Sequence, residues 1–244
     1  MFKVGKFASN YCFESYRYMN NSNYTRSYAF NAMNPWFFTG ISADYTINDM
    51  VSVGALVANG DINLDTDENQ SKHMGVNVNV KPMEGLGIKL NYLTGKQGDI
   101  AANALIGYAG IGYNETNRIN GTVTYDINST FDVAFNYTSF SMEPVVAGNK
   151  TEATSMGLYA NGKWETYGVG ARYEMVSDDD GMLFGSLDNQ VSVITVTGWY
   201  NLDQNAALKL ELASTSADKQ IFFDDKGAAD DAMMTYGLGF LYRF

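Results

Sequence analysis

Met74-Gly75-Val76-Asn77-Val78-Asn79-Val80 alternates apolar with small or polar residues without a break. In an extended strand successive side chains point to opposite faces, so Met74, Val76, Val78 and Val80 share one side and Gly75, Asn77 and Asn79 the other. The next run repeats the pattern, with Leu86, Ile88, Leu90 and Tyr92 on one face. Pro82-Met-Glu-Gly85 between them reads as a short turn, and the two runs as a hairpin.

Outward from this pair the unit recurs. Residues 37–47 and 51–57 flank Asn48-Asp49, and 119–127 and 131–137 flank Asn128-Ser129. Residues 156–160 and 167–175 flank Asn161-Gly162, and 194–200 and 208–212 flank the stretch 201–205. A run over 234–244 ends the chain and a weaker one over 2–8 begins it, with Lys3 and Lys6 on opposite registers. The links at the other end are long and polar: 61–71, 95–117, 142–153, 177–189 and 217–231. Short turns at one end and long loops at the other is the asymmetry of bacterial outer-membrane barrels.

The charges decide which face meets what. Asp44, Lys89, Asp126, Asp132, Arg172, Glu174, Lys209, Glu211 and Arg243 all fall on the non-apolar register, and the apolar register carries charge only where strands meet loops. A soluble sandwich also alternates, but its outer face would be rich in Lys and Glu. Here the polar face is Gly, Asn, Ser and Thr with interspersed charges, as a water-filled interior requires. Aromatics gather near the strand ends on the apolar register: Tyr45, Tyr125, Phe131, Tyr200 and Tyr242 by the short turns, then Phe37, Tyr92, Tyr137, Tyr173 and Tyr236 by the long loops. Amphipathic rings favour the headgroup level, so these read as two girdles. The expectation is an all-β, antiparallel transmembrane barrel of about 12 strands in contact with a lipid bilayer, with residues 1–244 forming one domain.

Composition agrees by exclusion. A net charge of −11 argues against a nucleic-acid partner. The single Cys12 and single His73 exclude an internal disulfide, a thiolate cluster and multi-histidine metal sites, so no metal and no cofactor is expected. The mean hydropathy of −0.21 would class the chain as soluble, but strands that alternate escape that measure. The opening Met-Phe-Lys-Val-Gly lacks the apolar core of a signal peptide, so an exported chain would be processed or incomplete at that end.

Two stretches carry a resemblance. The run from Met234 to Phe244 alternates up to a terminal Phe, and resembles the C-terminal signal, here Tyr242 and Phe244, by which the barrel-assembly machinery takes up outer-membrane proteins of Gram-negative bacteria. Val4-Gly-Lys-Phe7, Glu14, Tyr24-Thr-Arg-Ser-Tyr-Ala-Phe30, Pro35 and Phe38-Thr-Gly-Ile41 resemble the putative beta-barrel porin-2 family, with looser similarity to phosphate-selective porins. The resemblance implies an outer-membrane porin for passive diffusion of small polar or ionic solutes, and in this size class a homotrimer. It also implies that residues 9–34 fold into the lumen as a constriction loop. In sixteen-stranded porins that loop follows the fifth strand, so this chain would hold the last twelve strands; a self-contained twelve-stranded barrel is the rival.

Selectivity in such a pore comes from charges facing one another across the constriction. The loop offers Glu14, Arg17 and Arg26. The wall offers Asp44, Lys89, Arg118, Asp126, Asp132, Arg172, Glu174, Lys209 and Glu211 as lining. Arg17 and Arg26 are expected to form the positive side, unless Arg26 only pins the loop to a wall carboxylate. Acidic runs at 61–68, 178–180 and 224–231 lack calcium-loop spacing and read as solvated loop charge. Gly107 to Gly112 lacks the context of a phosphate loop. Two other function classes stay open: a non-channel adhesin or structural barrel, and an outer-membrane hydrolase with His73 as base. No catalytic motif surrounds His73, so the chain is not expected to be an enzyme.

Overall fold

The computed structural model describes residues 1–60, 71–97, 114–144 and 149–243. The acidic run 61–68, the Gly107–Gly112 stretch and Phe244 lie outside the described residues. The strands are β1 (Phe2–Ala8), β2 (Phe37–Thr46), β3 (Val51–Ala58), β4 (His73–Met83), β5 (Leu86–Gln97), β6 (Asn114–Asp126) and β7 (Phe131–Pro144). There follow β8 (Thr151–Lys163), β9 (Tyr167–Asp178), β10 (Asn189–Asn201), β11 (Ala206–Ala217), β12 (Phe222–Phe223), β13 (Ala229–Asp230) and β14 (Ala232–Tyr242). β1 to β11 and then β14 form one twelve-stranded meander in sequence order, antiparallel throughout, with β1 and β14 as its edges. β12 and β13 are a separate small hairpin within the last long connection.

Period-two alternation sets the two faces of this sheet. Along β4, Met74, Val76 and Val78 are exposed while His73, Gly75 and Asn77 are buried. Along β11, Leu208, Leu210 and Leu212 are exposed while Lys209 and Glu211 are buried. The register is shared by neighbours: Leu90 lies between Val78 and Gly121, Lys89 between Asn79 and Thr122. The sheet is therefore inside-out relative to a water-soluble protein, with its apolar face bare and its polar face covered. Rings at the strand ends lie on the bare face; Phe131 and Tyr167 bracket Trp164 at the β8–β9 turn. Phe37 is only half-buried, its ring on Tyr16.

The strands run further than their clean alternation. β8 continues to Lys163 and turns at 164–166, so Asn161-Gly162 is strand, not turn, and Asn161 faces the polar side. β4 includes Pro82 and Met83 and turns at Glu84-Gly85, where Gly85 takes the positive φ of 77° that a tight turn needs. Near the long loops both registers of several strands are apolar, which hid their extent. Phe140, Met142, Ala153, Val176, Val191 and Val193 are on the covered face there.

What covers the polar face is the chain between β1 and β2. It has no ladder of its own, only a 3-10 turn at Tyr18–Asn20 and a π turn at Ala29–Met33. The buried apolar clusters lie where it meets the wall. One packs Tyr11 with Phe38, Leu56, Ala58 and Leu93; another packs Ala29 and Met33 with Phe140, Met142 and Ala153. In the third, Tyr28 packs on Val176, Val191 and Val193.

Candidate functional site

A segment without regular structure must find partners for its own N–H and C=O groups, because buried orphans cost about 1–3 kcal/mol each. Here the wall supplies them from charged side chains. Glu174 accepts from the backbone N–H groups of Tyr28 and Ala29, at 2.8 Å each, and from Ser155 Oγ. Glu211 accepts from the N–H groups of Tyr24, at 2.6 Å, and Thr25, at 3.0 Å, and from Thr197 Oγ1. On the donor side, Arg118 Nε reaches Met33 O at 2.7 Å. Lys209 donates to the carbonyls of Tyr18, Asn21 and Ser22, and Lys89 to that of Asn10. Arg172 Nη1 donates to Thr25 O at 3.0 Å.

Arg172 also makes the one buried ion pair among the described residues, 2.7 Å to Glu14 Oε1, with both side chains 3% exposed. The second oxygen of Glu14 accepts from Ser27 N and Ser27 Oγ, so the pair closes a loop within the segment as well. Charge-assisted bonds of this kind are stronger than neutral ones, and a buried pair holds only when its remaining lone pairs are satisfied.

Six of the nine expected lining residues, Lys89, Arg118, Arg172, Glu174, Lys209 and Glu211, thus hold the segment rather than face open water. Of the remaining three, Asp132 pairs with Lys163 at 2.5 Å and accepts from Asn161 Nδ2 at 2.6 Å. Asp126 is exposed and Asp44 half-buried. In the segment, Glu14 and Arg26 are buried and Arg17 is exposed, its Nε donating to Tyr16 OH at 2.8 Å. Among the described residues Arg26 has no hydrogen bond or ion pair to a wall carboxylate. It donates to Tyr16 O and Tyr24 O and lies 4.0 Å from the Tyr18 ring centroid. Burial lowers its pKa, partly offset by the Glu14 carboxylate. Burial, then the Glu14 carboxylate, pushes the Cys12 thiol up.

Glycines on the covered face mark where side chains of the segment sit, a signal the sequence carried. A Cβ on Gly75 would fall 2.1 Å from the Tyr11 hydroxyl, one on Gly170 2.7 Å from Ser22, and one on Gly239 2.6 Å from the Tyr24 ring. Gly239→Val is therefore expected to lift the Tyr24 turn and speed tryptic cleavage after Arg17 and Arg26 in detergent. An unchanged cleavage rate would count against the seating. His73, the base that the hydrolase alternative requires, is fully buried with Nε2 2.9 Å from Thr116 Oγ1.

The family model described as putative beta-barrel porin-2, OmpL-like, matches residues 1–244. The chain belongs to this family. A comparison with curated proteins finds no match. The porin-2 chain superposes on OmpT, an outer membrane protein of Vibrio cholerae, in its in-vitro folded trimer form, with a TM-score of 0.71 and 12% identity over 99% of this chain and 76% of that one. The loop L8 deletion mutant of OmpT gives a TM-score of 0.68 at 13% identity, over 99% and 74%. A refined porin structure gives 0.57 at 16% identity, over 84% of this chain and 61% of that porin, so the chain spans about three fifths of that relative's length. At these identities the likeness concerns the fold, a porin barrel wall of antiparallel strands.

Proposed function

We propose that this chain forms the wall and inner constriction loop of an outer-membrane channel for passive diffusion of small polar or ionic solutes, and that it is not an enzyme. The observation that carries the reading is the inverted sheet. Its bare face suits hydrocarbon, and the segment at 9–34 packed on its polar face supports the reading of that segment as an inner constriction loop. The burial of His73 supports the non-enzymatic reading, because the hydrolase alternative needs this side chain as its base. Assembly as a homotrimer is supported by the trimer form of OmpT, and uptake by the barrel-assembly machinery by the alternation that ends at Tyr242.

Planar-bilayer conductance across a salt gradient tests this, since a non-channel barrel gives no current. The loop's two arginines should behave differently. Arg17 is exposed, and Arg17→Ala is expected to shift the reversal potential toward cations without altering stability. Arg26→Ala is expected to loosen the segment instead, raising current noise. Equal shifts from the two variants would contradict this division of roles.

A further inference from the structure

On the short-turn side of the segment two cavities adjoin, of about 340 and 360 Å³, sharing Asn20, Asn21, Ser22 and Lys163 in their walls. Each is within the range of small-molecule sites, about 300–1,000 Å³. Aromatic rings stand in both. In one, Phe13 rests on Tyr159 with ring centroids 4.5 Å apart. In the other, Trp199 lies over Gly168, where a Cβ would come within 2.2 Å of the indole ring. Beside the rings the lining carries amide, hydroxyl, carboxylate and ammonium groups, with a few aliphatic side chains such as Val133 and Met19.

Charge narrows the ligand. Asp132 is matched by Lys163, and Lys209 is engaged by three backbone carbonyls. Asp126 is left as an exposed carboxylate with no side-chain partner among the described residues. An anion would meet that free carboxylate. A divalent cation would find no cluster of ligating side chains among the described residues. A neutral solute with many hydroxyls would find acceptors, donors and ring faces together.

We propose that this trough is a subsite for a neutral, linear polyhydroxylated solute, a short chain of sugar rings. Its apolar ring faces would lie on Phe13 and Trp199, with a hydroxyl donating to Asp126 and others bonding the asparagine amides. The proposal rests on the channel reading and deepens it.

Maltotriose, a neutral linear trisaccharide, is the probe, with polyethylene glycol of equal mass as the control. Added on the short-turn side of a planar bilayer, maltotriose is expected to block the current in a saturable way, and the glycol is not. Asp126→Asn, at a carboxylate with no hydrogen-bond partner among the described residues, should weaken the block by about tenfold, the equivalent of one charge-assisted hydrogen bond. Phe13→Ala should weaken it similarly. A conducting channel that maltotriose does not block, or that both solutes block alike, overturns the subsite and leaves the channel reading intact. A protein that carries no current overturns the channel reading. Quenching or shift of tryptophan fluorescence by maltotriose in detergent, lost in Asp126→Asn, then decides the subsite by itself.

Discussion

Arg172→Met is expected to cost about 3–5 kcal/mol of stability and to increase single-channel conductance. Removing one partner of a buried pair leaves the other charge without compensation, and that penalty exceeds what the intact pair contributes. Here the stranded group is Glu14, only 3% exposed at its side chain, with Glu174 on the same covered face two residues along β9 from Arg172. The cheapest relief is for the segment to swing away and take Glu14 to water, which breaks the bonds from Tyr28, Ala29 and Thr25 together. Glu14→Gln combined with Arg172→Met should restore much of the loss, because the buried charge is then gone. Thermal unfolding in detergent reads the first effect and bilayer recording the second. A double variant as unstable as the sum of its single variants would show that the pair is not the clamp.

The fold was legible because its signal is local. Alternation in β4 and β5, short turns, and the confinement of charge to one register each need only a few neighbouring residues. The loop clamp is different. Glu174 meets Tyr28 across 146 positions and Lys209 meets Tyr18 across 191, and the partners are backbone atoms, which every residue possesses. A charge on the polar register therefore announces that it faces inward, but not whether water or a peptide group awaits it. For this reason Lys89, Arg118, Arg172, Lys209, Glu174 and Glu211 read as open lining. The covered-face glycines were the available clue. Gly75, Gly170 and Gly239 each sit on the covered register, at points where a side chain of the segment rests against the wall. Strand lengths failed for a related reason. Where the segment packs on Phe140, Met142, Val191 and Val193, the inner face is apolar too, and alternation fades although the strand continues.

The second large effect separates the two faces. Leu90 is exposed on the bare face, 57% open and paired with Val78 and Gly121 well inside the strands. Leu90→Arg is expected to cost about 2–4 kcal/mol in a lipid bilayer, because a guanidinium there must sit in hydrocarbon. Ile127, also exposed but at the β6–β7 turn, should accept the same change at about 0–1 kcal/mol, since the penalty fades toward the interface. Thr124 lies on the opposite register and lines the cavity beside Asp126. Thr124→Arg should cost little, as it places a cation in water near a free carboxylate. Reversible urea unfolding in vesicles orders the three. The ordering Leu90 above Ile127 and Thr124 follows only if hydrocarbon touches the bare face. Should Thr124→Arg prove the costly one and Leu90→Arg harmless, the polar face would be the dry interior, and no channel could run along it.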